Sequence, residues 1–151
     1  MWNKLLGTRN SPPLAIVRLV LGLVMFAHGA QKMLGWFGGY GISGTMGFFT
    51  HMGIPVPFGY LAIAAEFFGG LGLILGFLSR IAAFGVLCNM VVAVLTVHIH
   101  NGFFMNWAGT KKGEGFEYHL LAIAMALAVI IGGGGTASID RALSGSDSAA
   151  G

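Results

Sequence analysis

The stretch LAIVRLVLGLVMFAHGAQKMLG at residues 14–35 is long and apolar enough to cross a lipid bilayer as one helix. Three further runs of the same kind follow, at 57–78, 81–100 and 117–135. Ser11-Pro12-Pro13 precedes the first run and is typical of a helix start, because proline is tolerated in the first turn. The pattern predicts an all-α integral membrane protein, a four-helix bundle within one domain at residues 1–141.

Composition supports this prediction. Only 9% of the 151 residues are charged, against about 25% in a soluble domain. The 26 glycines fit transmembrane helices, in which small residues let backbones approach closely. Four spans leave no room for a separate catalytic domain, and the scattered cations form no patch for nucleic acid. The single cysteine, Cys88, excludes an internal disulfide and dithiol chemistry within the chain.

The distribution of cations predicts the orientation in the membrane. Four spans place both termini on one side, and the side with more lysine and arginine is normally cytoplasmic. The side of the termini carries Lys4, Arg9, Arg18, Arg80 and Arg141, whereas the other carries Lys32, Lys111 and Lys112. We therefore expect a multi-pass protein of the inner cell membrane with cytoplasmic termini and a flexible tail at 142–151.

Several local features of the sequence predict details of the structure. Arg18 is expected to extend to the cytoplasmic headgroups rather than to be buried. Ser79-Arg80 is expected to form the tight turn between the second and third spans. The uncharged, aromatic segment 36–56 predicts a short helix in the outer interface, capped by Ser43 and running to Met52. A cleaved signal peptide is an alternative for the first run, although Arg18 would interrupt its apolar core.

Ionisable and polar side chains in the four spans, apart from Arg18, share one depth. A charged group inside a membrane costs a few kcal/mol on insertion scales, so each one is a candidate functional residue. With the predicted orientation, every span places such residues in the outer half of the bilayer. These residues are His28, Gln31 and Lys32 in the first span, Glu66 in the second, His98 and His100 in the third, and Glu117 and His119 in the fourth.

Helical periodicity indicates which of these side chains face the bundle. Ala62, Gly69 and Gly70 lie one turn from Glu66, and Ala65 directly precedes it; such a small-residue face packs closely against another helix. On a regular helix, His98 and His100 lie about 200° apart, so they cannot both bind one metal ion. Asn89, Ala93, Thr96 and His100 follow helical spacing and form a polar stripe on the third span, so the helical periodicity favours His100.

The chain resembles the DoxX family of membrane proteins over about residues 14–140. The resemblance rests on separated motifs that occur in the family's order. They are Arg18 with His28-Gly29-x-x-Lys32, Glu66-x-x-Gly69-Gly70-Leu71, Ala93-x-x-x-x-His98-x-x-Asn101-Gly102-Phe103-Phe104, Gly115-x-Glu117, and Gly133-x-Gly135 with Ser138-x-Asp140. The resemblance implies a four-helix membrane component of oxidoreductases, with relatives in thiosulfate:quinone oxidoreductase, quinone resistance and a redox-stress complex. It also favours His98 over His100.

The leading functional hypothesis is a membrane redox protein that binds a quinone near the outer face. Glu66, His28 and His98 are the candidate catalytic residues, as hydrogen-bond donors and a proton relay. Residues of the same depth are candidate ligand-binding residues, namely Lys32, Gln31, His100, Glu117 and His119. No flavin, haem or iron–sulfur motif is visible, so a redox partner protein is expected to supply the electrons.

The same residues also fit a transporter, a scaffold and a metal-binding protein. A small proton-coupled transporter would use Glu66 as the coupling carboxylate and would need a homo-oligomer to enclose a pathway. In a non-catalytic membrane scaffold or anchor for a redox enzyme, Glu66 would pair with Lys32 or His28 to hold helices together. A haem or copper site would involve His28, His98 and His119 near Met25 or Met105. No metal ligand is assigned, since the methionines fit packing or lipid contacts.

Overall fold

The computed structural model describes residues 5–145, and none of these residues lies in a β-strand. Six helices lie wholly within this range. They are α1 (Pro12–Leu34), α2 (Gly41–His51), α3 (Val56–Leu75), α4 (Ser79–Ala93), α5 (Glu117–Gly132) and α6 (Ile139–Ser144). Beyond α4 the helix continues as a π turn at Val94–His98 and a 3-10 turn at Ile99–Asn101.

Three helical segments are long and apolar enough to cross a membrane: Pro12–Leu34, Val56–Leu75 and Ser79–Asn101. The fourth apolar helix, α5, has 16 residues and is shorter than the roughly 20 that a perpendicular span needs. The four apolar helical segments begin and end within three residues of the predicted spans.

The four long helices pack in a closed order: α1 on α3, α3 on α4, α4 on α5, and α5 back on α1. Their shared core is apolar and includes Leu21, Met25, Leu73, Val86 and Val129. Large apolar side chains also cover the outside, including Ile16, Leu23, Leu61, Phe84 and Leu121. A helix that is apolar on both its inner and outer faces is typical of a membrane protein.

The turn between α3 and α4 differs from the predicted one. Helix α3 ends at Leu75, Gly76 adopts a left-handed conformation with φ 66°, and Ser79 is already the first residue of α4. The turn is therefore at residues 76–78, not at Ser79-Arg80. The carboxylate of Asp140 accepts hydrogen bonds from the backbone amides of Leu78 (2.7 Å) and Ser79 (2.8 Å) and so caps the start of α4.

The expectation that Arg18 extends to the headgroups is wrong, because its side chain is buried with 1% exposure. Its guanidinium donates to the carbonyls of Ile74 (2.8 Å), Gly134 (2.7 Å) and Ala137 (3.1 Å), and also to Leu73. The planar guanidinium provides five N–H donors, which satisfy carbonyls at the end of α3 and in the segment that follows α5.

Arg80 acts similarly on the end of α5. It donates to the carbonyls of Ile130 and Ile131, and to that of Gly7 near the N-terminus. The end of the molecule that holds Arg18, Arg80 and Asp140 is called the capped end below. There, charged side chains satisfy backbone groups that the helix termini leave without intrahelical partners.

The short predicted helix in 36–56 is present as α2, but Ser43 does not cap it. Tyr40 is the N-cap residue and makes no side-chain capping bond. Residues 142–144 of the predicted flexible tail belong to α6. The remainder of that tail from residue 146 onward, and Lys4 among the counted cations, lie outside the described residues.

Candidate functional site

Glu66 of α3 lies at the centre of a polar cluster between the helices. The residue is 5% exposed, and both oxygens of its carboxylate have partners. Oε2 forms an ion pair with Nζ of Lys32 from α1, and Oε1 accepts a hydrogen bond from Nδ2 of Asn89 on α4 at 2.8 Å. Three helices thus contribute to one buried hydrogen-bonded network, and the predicted direction of Glu66 into the bundle is confirmed.

The close approach of α1 and α3 brings Lys32 to Glu66. A Cβ atom on Gly29 would lie 2.4 Å from the backbone nitrogen of Phe67 and 2.7 Å from the carbonyl carbon of Glu66. Only glycine fits at that position without moving the backbone of α3. Lys32 follows Gly29 by one turn, so its side chain extends along the same contact to the carboxylate.

Helix α5 contributes two rings beside this network. Tyr118 packs against His28 of α1, with ring centroids 6.1 Å apart, and against His119, with centroids 5.3 Å apart. His119 in turn packs against His98, with centroids 4.0 Å apart. Four rings thus form a continuous row from α1 across α5 to the end of α4, here called the ring row: His28, Tyr118, His119 and His98.

A change in helix type explains why His98, and not His100, joins the ring row. The π turn at Val94–His98 adds about one residue to a turn, so a regular helical wheel no longer applies there. Within this turn the hydroxyl of Thr96 donates to the carbonyl of Val92 at 2.8 Å, a bond that often accompanies helix distortion. Helical periodicity placed His100 in the polar stripe, but in the structure His100 is exposed and His98, which the family motif favours, packs against His119.

Two buried polar atoms of the ring row have no hydrogen-bond partner in the structure. They are the Tyr118 hydroxyl and Nδ1 of His119, whose residue is 6% exposed. Charges of the Glu66 network act on both residues, Glu66 on Tyr118 and Lys32 on His119. Because buried polar atoms nearly always have a partner, these two atoms mark a position for a water molecule or a ligand group.

At the α1 end, His28 is exposed in an open groove. The groove has a volume of about 310 Å³ and is lined by Val24, Ala27, His28, Gln31 and Phe37. Gln31 donates from Nε2 to the carbonyl of Phe37 at 3.3 Å, which ties the groove to the turn after α1. The groove therefore has apolar walls and two polar side chains.

At the other end of the ring row, Nδ1 of His98 lies 2.9 Å from the carbonyl oxygen of Glu114. Asn101 donates to the same carbonyl at 3.1 Å. Glu114 lies in the exposed loop before α5. The ring row thus extends from a groove on α1 to a solvent-facing loop.

Two predicted ligand-binding residues lie away from the cluster. His100 is exposed on the 3-10 turn after His98. The Glu117 carboxylate accepts from the backbone amide of Met105 (2.8 Å) and from Nε1 of Trp107 (3.0 Å), so it organises the loop that precedes it. The other predicted site residues lie in the Glu66 network, the ring row or the groove.

Two members of the cluster, Asn89 and Tyr118, were not predicted as site residues. Asn89 belongs to the polar stripe of the third span, but nothing in the sequence linked it to Glu66. Tyr118 was missed because an aromatic residue at the start of a span reads as an interface anchor. Within residues 5–145, no group of three or more His, Cys, Asp or Glu side chains is arranged to hold a metal ion.

The chain is similar in sequence to known proteins. The family model described as DoxX matches residues 14–99. "Putative oxidoreductase CatD" of Bacillus subtilis is 28% identical over 114 residues, which are 76% of this chain and 75% of the relative. The membrane protein Rv3486 of Mycobacterium tuberculosis is 30% identical over 152 aligned positions, which cover 95% of this chain and 88% of the relative.

No solved structure matches the chain significantly. The family match covers more than half of the chain and includes His28, Lys32, Glu66 and His98. Together with the apolar helices, these similarities identify the chain as a membrane protein of the DoxX family.

Proposed function

We propose that the protein is a membrane redox protein that binds a quinone head group in the groove on α1. The observation that carries the proposal is the exposed His28 in a groove with apolar walls, adjacent to the buried network of Lys32, Glu66 and Asn89. The family and a relative named as an oxidoreductase support a redox role.

The groove residues fit such a group. Val24, Ala27 and Phe37 offer apolar contacts to a flat ring, whereas His28 and Gln31 can hydrogen-bond to a carbonyl oxygen. A bound quinone would accept two electrons and two protons. His28 would orient the head group and hold a proton near its oxygen, and Gln31 would fix its position.

The electrons would come from a redox partner protein, since no electron-carrying cofactor motif is visible in the sequence. We place the four long helices in the membrane as a bundle, with α5 spanning a locally thinned or tilted region. Helix α2 would lie in the outer interface, where its exposed Tyr40 and Phe48 suit the headgroup boundary. The termini would then be cytoplasmic and the Glu114 loop would be outside.

Tryptophan fluorescence tests quinone binding directly. Trp36 follows α1 and adjoins Phe37 of the groove, so a variant with Trp2→Phe and Trp107→Phe reports on this region alone. In lipid nanodiscs, decylubiquinone or menadione should quench Trp36 in a saturable manner. His28→Leu should remove the saturable component, whereas His51→Leu, an exposed position at the end of α2, should keep it.

Linear, non-saturable quenching in the protein and in both variants would contradict the binding site. It would indicate that the quinone only dissolves in the lipid around Trp36.

A scaffold or anchor for a redox enzyme is the second candidate, and the Lys32–Glu66 ion pair favours it. A buried ion pair between α1 and α3 could serve only to fix how the helices pack. If the ion pair only fixes packing, a variant that replaces both charged residues should regain stability and keep every other property of the protein. The double variant Glu66→Gln with Lys32→Met tests this.

A further inference from the structure

We propose that the ring row is a proton path that connects the groove on α1 with the aqueous loop at Glu114. This inference rests on the proposed quinone site, because it assigns the route by which protons reach that site. It gives roles to Tyr118 and His119, which the binding of a head group beside His28 does not require.

Continuity is the first argument. The centroid distances along the row are 6.1 Å from His28 to Tyr118, 5.3 Å from Tyr118 to His119, and 4.0 Å from His119 to His98. Each member can both accept and donate a proton through its imidazole or hydroxyl group. The row begins at an exposed residue of the groove and ends at an exposed loop.

The unpartnered atoms are the second argument. The Tyr118 hydroxyl and Nδ1 of His119 are buried without a hydrogen-bond partner, and they lie in the middle of the row. Leaving such an atom unpaired is unfavourable, so each is expected to bind water. Water molecules at these two atoms would complete the hydrogen-bonded connection between the rings.

The contact of His98 with Glu114 is the third argument. A backbone carbonyl only accepts, so Nδ1 of His98 must carry the hydrogen that is donated to it. That leaves Nε2 as the nitrogen that gains and loses a proton. His98 is half-exposed, so Nε2 can take a proton from water at the loop and pass it to His119.

Charged groups also lie beside the path. Glu66 from α3 acts on Tyr118 and His28, and Lys32 from α1 acts on His28 and His119. Glu117, the first residue of α5, accepts hydrogen bonds from the Met105 amide and from Trp107. For each quinone reduced, two protons would leave water at the loop, pass His98, His119, Tyr118 and His28, and bond to the two quinone oxygens. The two electrons would arrive separately from the redox partner.

His98 and His100 provide a matched pair for the test, since they lie two residues apart and only His98 belongs to the row. Full-length protein in lipid films with decylubiquinone would be reduced at an electrode, and the infrared difference spectrum recorded with and without ¹⁵N-histidine. Label-sensitive histidine bands should appear on reduction. The bands of His98 should be missing in His98→Gln while those of His28 remain, and His100→Gln should give the spectrum of the unmodified protein.

A rate measurement gives a second readout. Quinol formation after a pulse of reductant should slow by about tenfold or more in His98→Gln, the order expected for loss of an acid–base group. Added imidazole should restore the rate, because it can replace the missing ring in the path. His100→Gln should stay within about twofold of the unmodified protein.

The outcomes separate the two proposals. Without saturable quenching of Trp36, both the quinone site and the path are overturned. With saturable quenching but unchanged bands and rate in His98→Gln, the path is overturned and the quinone site stands. A slow His98→Gln variant that imidazole fails to rescue would show a structural role of His98 and also overturn the path.

Discussion

Gly70 of α3 lies directly against the backbone of Phe26 in α1: a Cβ atom on Gly70 would be 2.4 Å from the Phe26 nitrogen. The neighbouring Gly69 faces α4 instead, and its Cβ would lie 3.4 Å from the Ala82 carbonyl oxygen, an ordinary contact. We expect Gly70→Ala to lower stability by about 1–3 kcal/mol through overpacking.

Gly69→Ala is the matched control, with an expected effect near zero or slightly stabilising. The melting temperatures of both variants in the same detergent test this difference. Equal melting temperatures would show that overpacking the contact between α1 and α3 costs no stability. The close approach of these helices would then not be required to bring Lys32 to Glu66.

Glu66→Gln should lower the melting temperature, because it leaves the Lys32 ammonium half-buried without its counter-ion. Adding Lys32→Met should restore stability by replacing that charge with an apolar side chain. If Glu66 itself takes part in quinone reduction, the rate of reduction in the stable double variant should stay roughly 10²-fold lower than in the unmodified protein.

Recovery of both stability and quinone reduction in the double variant would show that the Lys32–Glu66 ion pair serves only helix packing. Full reduction activity in Glu66→Gln alone would exclude a proton-relay role for this carboxylate.

Arg18→Lys should destabilise the protein by roughly 2–4 kcal/mol although it keeps the positive charge, because one ammonium cannot replace a guanidinium that donates to four carbonyls. Arg9→Lys is the control, since Arg9 is exposed. Thermal unfolding of the two variants is the measurement, and a similar small change in both would mean that the buried bonds of Arg18 add little.

The orientation is tested by reporters fused after Gly151. A reporter active only in the cytoplasm should be active there, and one active only in the periplasm should be silent, as the excess of cations on that side predicts. The reverse pattern would place the Glu114 loop in the cytoplasm, and the proton path would then open on that side.

The sequence predicted the helices well because their apolar runs depend only on local residues. The similar height of His28, Lys32, Glu66 and His119 along the bundle was also predictable, because each residue adds a fixed rise to a helix. Arg18 was misjudged because its acceptors, Gly134 and Ala137, are more than a hundred positions away along the chain. A one-dimensional pattern does not indicate which distant carbonyls a buried arginine will meet.

The turn after α3 and the orientation of His98 illustrate two other limits. The cap of α4 comes from Asp140, a carboxylate from a separate helix, so local turn signals placed the turn two or three residues late. A single π turn redirects His98, and regular helical periodicity contains no sign of it. The family motif favoured His98 because a family's sequence pattern reflects the folded structure as well as local periodicity.

The capped end has an electrical consequence. Between Arg18 and His28 of α1 lie nine residues without a charged side chain, about 15 Å of helix. The facing stretches of α3, α4 and α5 in the described part of the chain are equally free of charge. Most of the voltage across the membrane would fall over this insulating layer. Protons that enter at Glu114 would stop short of it, so turnover would generate little charge separation and respond weakly to the membrane potential.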